Sequence, residues 1–191
     1  MTFQQEMLKL RAREGFYSND PNDRGGECIY GIARRRWPGW SGWKVLDARK
    51  PDLESLKTNV GFQHAVDEFY RLTFWEPSGA PLLGSAGVLM WDAAVQHGVE
   101  QSVVFLQQAL NVLNERGTRW PDLQEDGDLG PKTAATALEA MKLYQDDLLW
   151  SLITVRGAFY FGIVRRDQTQ EKWYRGWMIR ARELYFSTRQ Q

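Results

Sequence analysis

The feature that most constrains this chain is a helix stop followed at once by a turn-rich loop and a short β-favouring run, all within residues 13–32. Upstream, Thr2 is placed as an N-cap with Gln5 three residues later, and Phe3, Met7, Leu10 and Glu14 follow at helical spacing. Gly15 readily takes the left-handed backbone that ends a helix, so Glu14 falls in the last turn. The apolar stripe predicts that Glu14 faces the core, where desolvation and the negative end of the helix dipole both favour its protonated form. A carboxyl that keeps its proton near neutral pH is what a general acid needs.

Beyond Gly15, the run Asn19-Asp20-Pro21-Asn22-Asp23 favours turns, Gly25-Gly26 permit a sharp reversal, and Cys28-Ile29-Tyr30 favour a strand. A small hairpin here would fold Asp23 back across from Glu14. Two carboxyls facing one another over a cleft, one protonated and one ionised, are the usual apparatus for cleaving a glycosidic bond. The same spacing also admits a purely structural reading, in which Glu14 pairs with a nearby arginine and Asp20 and Asp23 only cap turns. Spacing alone leaves both open.

The rest of the chain reads as helices. The cluster Arg34-Arg35-Arg36-Trp37-Pro38-Gly39-Trp40-Ser41-Gly42-Trp43 suggests solvated arginines, with the tryptophans divided between packing and a sugar-facing wall. One such cluster in a protein of zero formal net charge and pI near 6.8 does not make a nucleic-acid surface. A helix is expected over about 53–75, with Phe62, Val66 and Phe69 inward, and an apolar, buried one up to Gly98. Asp92 on that buried helix must have a partner: it either orients the cleft and touches substrate or bonds a neighbouring helix end. Val103, Leu106, Leu110 and Leu113 mark the next helix, which Gly117 ends. Pro131 opens another, with Ala137, Met141, Tyr144 and Leu148 as its stripe, and a final pair covers about 152–164 and 171–186, the latter with Trp173, Trp177 and Leu184 inward. The Asp122, Gln124, Asp126, Gly127 run lacks the bidentate Glu of a calcium loop, because Thr133 holds the twelfth position.

At 191 residues the chain can bury a substantial core. Cys28 is the single cysteine, so no internal disulfide is available and packing must hold the fold. The first residues carry no apolar run and no stretch is read as a membrane span, so neither a secretory leader nor stable membrane insertion is expected. That reading places the protein in the cytoplasm on synthesis.

The ordered set of motifs resembles glycoside hydrolase family 108, the lysozyme-like muramidases found among phage endolysins and bacterial secretion activators. The resemblance rests on Glu-Gly-Phe-Tyr from Glu14, Asn-Asp-Pro-Asn-Asp from Asn19, and Gly-Gly-Glu-Cys-Ile-Tyr-Gly-Ile from Gly25. Further along it rests on Asp-Ala-Ala-Val-Gln-His-Gly from Asp92. Residues 106–111, 126–133 and 176–180 resemble the peptidoglycan-binding region that usually follows. The resemblance implies a mainly α, lysozyme-like helical fold with one small β-hairpin over residues 1–98, and a helical peptidoglycan-binding region over 99–191 packed against it. It implies cleavage of the β-1,4 bond between N-acetylmuramic acid and N-acetylglucosamine. Glu14 would be the catalytic acid, Asp23 the turn aspartate that holds or activates water, and Cys28 would stand where the family usually has threonine. Phe16 replaces a second glycine, and Ile179 an asparagine.

Tyr17, Tyr30 and Asp92 complete the expected substrate-facing set. No cofactor or metal is called for, since His64 and His97 lie far apart and outside any ligand motif. A cysteine peptidase would need Cys28 beside one of those histidines and at a helix N-terminus, where the sequence does not put it. The remaining rival is a catalytically weak or silent wall-binding or secretion-assisting protein on the same scaffold. The expected partner is the peptidoglycan strand, met by a monomer that reaches it through a holin or another release system.

Overall fold

The computed structural model describes residues 2–20, 26–50 and 52–189. Helix α1, Phe3–Glu14, opens with the expected capping box: the Thr2 side chain accepts from the Gln5 N–H, and the Gln5 side chain accepts from the Thr2 N–H at 2.9 Å. Gly15, with φ at 72°, ends it. The buried face differs from the predicted stripe. Glu6, Met7 and Leu10 are buried, and Glu6 holds Lys9 at 2.7 Å, whereas Glu14 is exposed. The face has rotated towards Glu6 because an ion pair satisfies that carboxylate within its own helix.

Three two-residue strands follow, β1 (Tyr17–Ser18), β2 (Cys28–Ile29) and β3 (Ile32–Ala33), antiparallel in the order β1-β2-β3. Tyr17 lies opposite Ile29, Ser18 and Ala33 both lie opposite Cys28, and Ile29 lies opposite Ile32. The β2–β3 connection is two residues long, Tyr30 and Gly31, with φ at 47° and 79°. Positive φ at both positions is the geometry that matches the twist of a tight hairpin, and it is rare for a tyrosine. The predicted hairpin is present as the β1–β2 pair; Tyr30, read from the sequence as strand, instead turns the chain with Gly31 and adds the third strand.

Helix α2 (Gly42–Arg49) and helix α3 (Val60–Tyr70) pack on one another in this first unit. The helix expected over 53–75 is broken, because Asn59 accepts the Phe62 N–H at 2.9 Å and caps a new start after a single 3-10 turn, Glu54–Lys57. Phe62, Val66 and Tyr70 then face inward. Trp43 is buried and donates its indole N–H to the Trp37 carbonyl at 2.7 Å. Trp37 packs edge-on against Phe69, and Trp40 does the same against Trp43, Phe62 and Phe69. The three tryptophans serve packing.

The chain's contacts divide it into two compact units, Met1–Thr73 and Phe74–Gln191. The second contains α4 (Gly84–His97), α5 (Val99–Leu113), α6 (Pro131–Leu143), α7 (Gln145–Arg166) and α8 (Glu171–Arg189). Helix α4, which the sequence reading assigned to the first domain, packs here against α5, α7 and α8. Helix α5 stops at Leu113, and Glu115, Arg116 and Gly117 all take left-handed backbone. The stripe through Tyr144 and Leu148 spans two helices, because Tyr144 leaves helical geometry between α6 and α7. Trp173, predicted inward, is exposed.

Helix α7 is, by length and composition, apolar enough to cross a membrane, contrary to the expectation that no stretch approaches one. One face buries Leu148, Leu149, Leu152, Ile153 and Tyr160 together with the charged Arg156, while 33 % of its most apolar stretch lies inside the fold and Trp150 and Phe161 are exposed.

Candidate functional site

Where α1 stops, the chain turns under the sheet and leaves a pocket of about 280 Å³ lined by Glu14, Gly15, Phe16, Tyr17, Ser18, Cys28, Tyr30 and Gly31. Four of the residues singled out in the sequence, Glu14, Tyr17, Cys28 and Tyr30, are thus brought together. Asp23 lies outside the described residues. Asp92 does not line this pocket.

Gly31 sets the position of the acid. A Cβ at Gly31 would stand 2.9 Å from Glu14 Oε2 and 2.9 Å from the Tyr70 hydroxyl, so the absence of a side chain lets both groups close over the hairpin turn. Tyr70 is 3 % exposed and donates to the Tyr30 carbonyl at 2.7 Å. Burial, reinforced by the neighbouring Glu14 charge and by Cys28, pushes the Tyr70 hydroxyl well above the usual phenol range. Its single proton is therefore committed to the Tyr30 carbonyl, which fixes the hydroxyl beside the carboxyl. Sequence reading missed Tyr70. The available signal was its place on the buried stripe Phe62, Val66, Tyr70, since a buried tyrosine needs a partner for its hydroxyl.

The unusual backbone of Tyr30 is locked from several sides. Its N–H donates to the Phe16 carbonyl at 2.8 Å, and its ring meets Phe16 edge-on at 5.2 Å. The Arg11 guanidinium lies 5.3 Å from the ring centre, and the Gln63 side chain reaches its hydroxyl at 3.4 Å. Arg11 is itself held by Asp67 at 2.6 Å. Strained backbone persists where surroundings over-determine it, and such strain clusters at functional sites.

Tyr17 presents its ring to the pocket while its hydroxyl is committed to Glu27 at 2.8 Å. Burial and this bond raise the Tyr17 hydroxyl's pKa. Glu27 also holds Lys50 Nζ at 2.6 Å and Arg34 Nε at 2.6 Å. Burial works against the Glu27 charge, but the bonds from Lys50 and Tyr17 and the charge of Arg34 overcome it and lower its pKa. Arg34 grips Asp47 through both terminal nitrogens, at 3.0 and 2.6 Å, and stacks 4.4 Å from the Trp43 ring. The arginine cluster is therefore not simply solvated: Arg34 anchors an ionic brace behind the sheet. Cys28, half-buried on β2 and in no disulfide, faces the pocket between Tyr17 and Tyr30.

Asp92 lies in the second unit, 4 % exposed. One oxygen meets Arg156 at 2.6 Å, and Arg180 reaches the carboxylate at 2.7 and 3.0 Å. Burial opposes its charge, but the two guanidiniums hold its pKa below the usual carboxylate range. Of the two roles read from the sequence, the observed contacts are those of the structural one. His97 closes the same cluster, with Tyr160 at 3.1 Å. Burial and the Arg156 charge bring its pKa down to about 4. Among the described residues no group of three or more His, Cys, Asp or Glu is placed to hold a metal ion.

A carboxyl at a helix end, a small sheet facing it across a pocket, and a helical second unit define the lysozyme-like class of wall-directed proteins. Residues 7–98 match the family model described as glycosyl hydrolase 108, and residues 101–182 match the one described as a predicted peptidoglycan domain. The first region is thus similar to glycosyl hydrolase family 108 and the second to the predicted peptidoglycan domain, the two together spanning most of the chain. Among solved structures it is similar to SagA of Brucella abortus, at 21 % identity and a TM-score of 0.65 over 97 % of this chain and 92 % of that one. That likeness concerns the fold. No curated protein sequence matches the chain significantly.

Proposed function

We propose that this protein hydrolyses the β-1,4 bond between N-acetylmuramic acid and N-acetylglucosamine in peptidoglycan. The observation that carries the reading is the single pocket lined by Glu14 on one side and Cys28 and Tyr30 on the other. Glu14 donates its proton to the leaving glycosidic oxygen. Its exposure in the free protein means that the core does not shield it; a glycan strand filling the pocket excludes water from it instead. Asp23 stabilises positive charge developing on the sugar or holds the attacking water, and Cys28, a weaker hydrogen-bonding group than threonine, sits beside that water. Tyr17 and Tyr30 offer ring faces to the pyranose rings. The Tyr70 hydroxyl and Gly31 together set where the Glu14 carboxyl rests. In the cell this activity needs a route to the wall, a holin or another release system.

A second reading, wall binding without turnover, draws support from Phe16 and Cys28, two of the three departures from the family pattern, both lining the pocket. Mass spectrometry of muropeptides separates the two. The parent protein is expected to release disaccharide units with a muramic reducing end, and Glu14→Gln to release none while its thermal melt stays nearly unchanged. Turnover by Glu14→Gln at the parental rate would remove Glu14 from the acid role.

A further inference from the structure

The second unit carries a concavity larger than the pocket at Glu14. Between α7 and α8 runs a groove of about 540 Å³, walled by Trp150, Tyr174, Tyr185 and Phe186 and edged by Arg175 and Arg182. Its floor is Ile153, Met178 and Ile179. Trp150 and Phe186 are 58 % and 53 % exposed, unusual for rings of that size, and Trp150 stands edge-on to Tyr185 at 5.2 Å. On α8 the spacing 175, 179, 182, 186 aligns two arginines with an aliphatic and an aromatic side chain along one stripe. Both arginines are exposed, and neither makes an ion pair among the described residues. Glycine at 157 lets α8 approach α7 closely: a Cβ there would stand 3.3 Å from Met178 Cε, so the groove floor depends on this contact.

We infer that this groove is where the second domain holds the glycan strand, with sugar faces stacked on the rings and the two arginines taking the carboxylates of the stem peptides. The inference rests on the peptidoglycan reading above and locates its anchoring site. Three features select this occupant. A concave trough of several hundred cubic ångströms fits ring-shaped units of a polymer. Aromatic walls cover the apolar faces of pyranose rings. Unpaired guanidiniums complement a polymer that carries, on every second sugar, a stem peptide with free carboxylates, and they do so in a planar, two-pronged geometry.

The test is co-sedimentation of the full chain with purified sacculi, in a Glu14→Gln background so that binding is read without turnover. The double variant Arg175→Glu/Arg182→Glu is expected to raise the apparent Kd about ten-fold or more, and Trp150→Ala to do likewise. Binding by the parent should weaken as salt is raised. All three side chains are solvent-exposed, so thermal melts should stay close to the parent's, and circular dichroism confirms that each variant is folded. Parental affinity in both folded variants would overturn the inference. So would loss of binding to phosphatidylglycerol vesicles with sacculus binding intact, since the groove would then take lipid. Because the readout is binding, turnover retained by Glu14→Gln would count against the acid and not against the groove.

Discussion

Replacing Gly31 by alanine tests the site at the point where backbone and chemistry meet. Two costs follow from the structure. The first is conformational: Gly31 sits at φ 79°, and a left-handed alanine costs about 1–2 kcal/mol. The second is steric, because the new methyl would lie 2.9 Å from both Glu14 Oε2 and the Tyr70 hydroxyl. Tyr70 is buried and bonded to Tyr30, so the exposed Glu14 side chain is the group that yields. Restoring ordinary contact displaces the carboxyl by roughly half an ångström or more, given carbon–heavy-atom separations of about 3.5 Å. Misplacement on the ångström scale costs a catalyst up to about a hundred-fold in rate. Gly117→Ala supplies the reference, since Gly117 has the same φ of 79° with open space around it. Both variants should lose about 1–2 kcal/mol in urea denaturation from the backbone, and Gly31→Ala more, because the methyl also meets the Tyr70 hydroxyl, a contact that movement of Glu14 does not relieve. Only Gly31→Ala should also lose ten- to a hundred-fold in reducing-sugar release. If folded Gly31→Ala cleaves at the parental rate, the position of the Glu14 carboxyl does not govern catalysis.

Asp92→Ala should destabilise the second unit by about 3–5 kcal/mol, because it strands the buried Arg156 charge. A parental denaturation midpoint combined with lost sacculus binding would return Asp92 to a ligand-facing role. His97 titrates at about 4 in the folded protein against an ordinary 6.5, so the unfolded chain takes up its proton first as pH falls. Stability is full above about 6.5 and declines towards 4, by about 3 kcal/mol at most and about 2 once the ring's partial exposure is allowed for. His97→Leu, which leaves Asp92, Arg156, Arg180 and Tyr160 in place, should flatten that slope in denaturation curves taken across this range. Cys28→Thr is expected to keep or raise cleavage. A fall of several orders of magnitude, with thiol reagents inhibiting the parent, would point to a cysteine nucleophile.

What was legible in the sequence was local. The Thr2–Gln5 box, the stop at Gly15 and the stripe Val103, Leu106, Leu110 depend on neighbours three or four residues apart, and each is where periodicity and turn chemistry placed it, whereas the tight turn at Tyr30-Gly31 falls where β propensity had continued the strand. Even there, one competing local device was misread: Asn59 restarts a helix that apolar spacing alone would have run through.

The partners of polar groups were settled only by the tertiary structure. Glu6 displaced Glu14 from the buried face of α1, Tyr70 came to the acid's side from the end of α3, and Arg34 joined Glu27 to Asp47. Asp92 found Arg156 and Arg180, which lie 64 and 88 residues away along the chain. Helical and turn propensities act through the backbone within a few residues. The choice of a charge's partner depends on which distant side chains the packed helices bring within a few ångströms, where low dielectric makes the pairing strong.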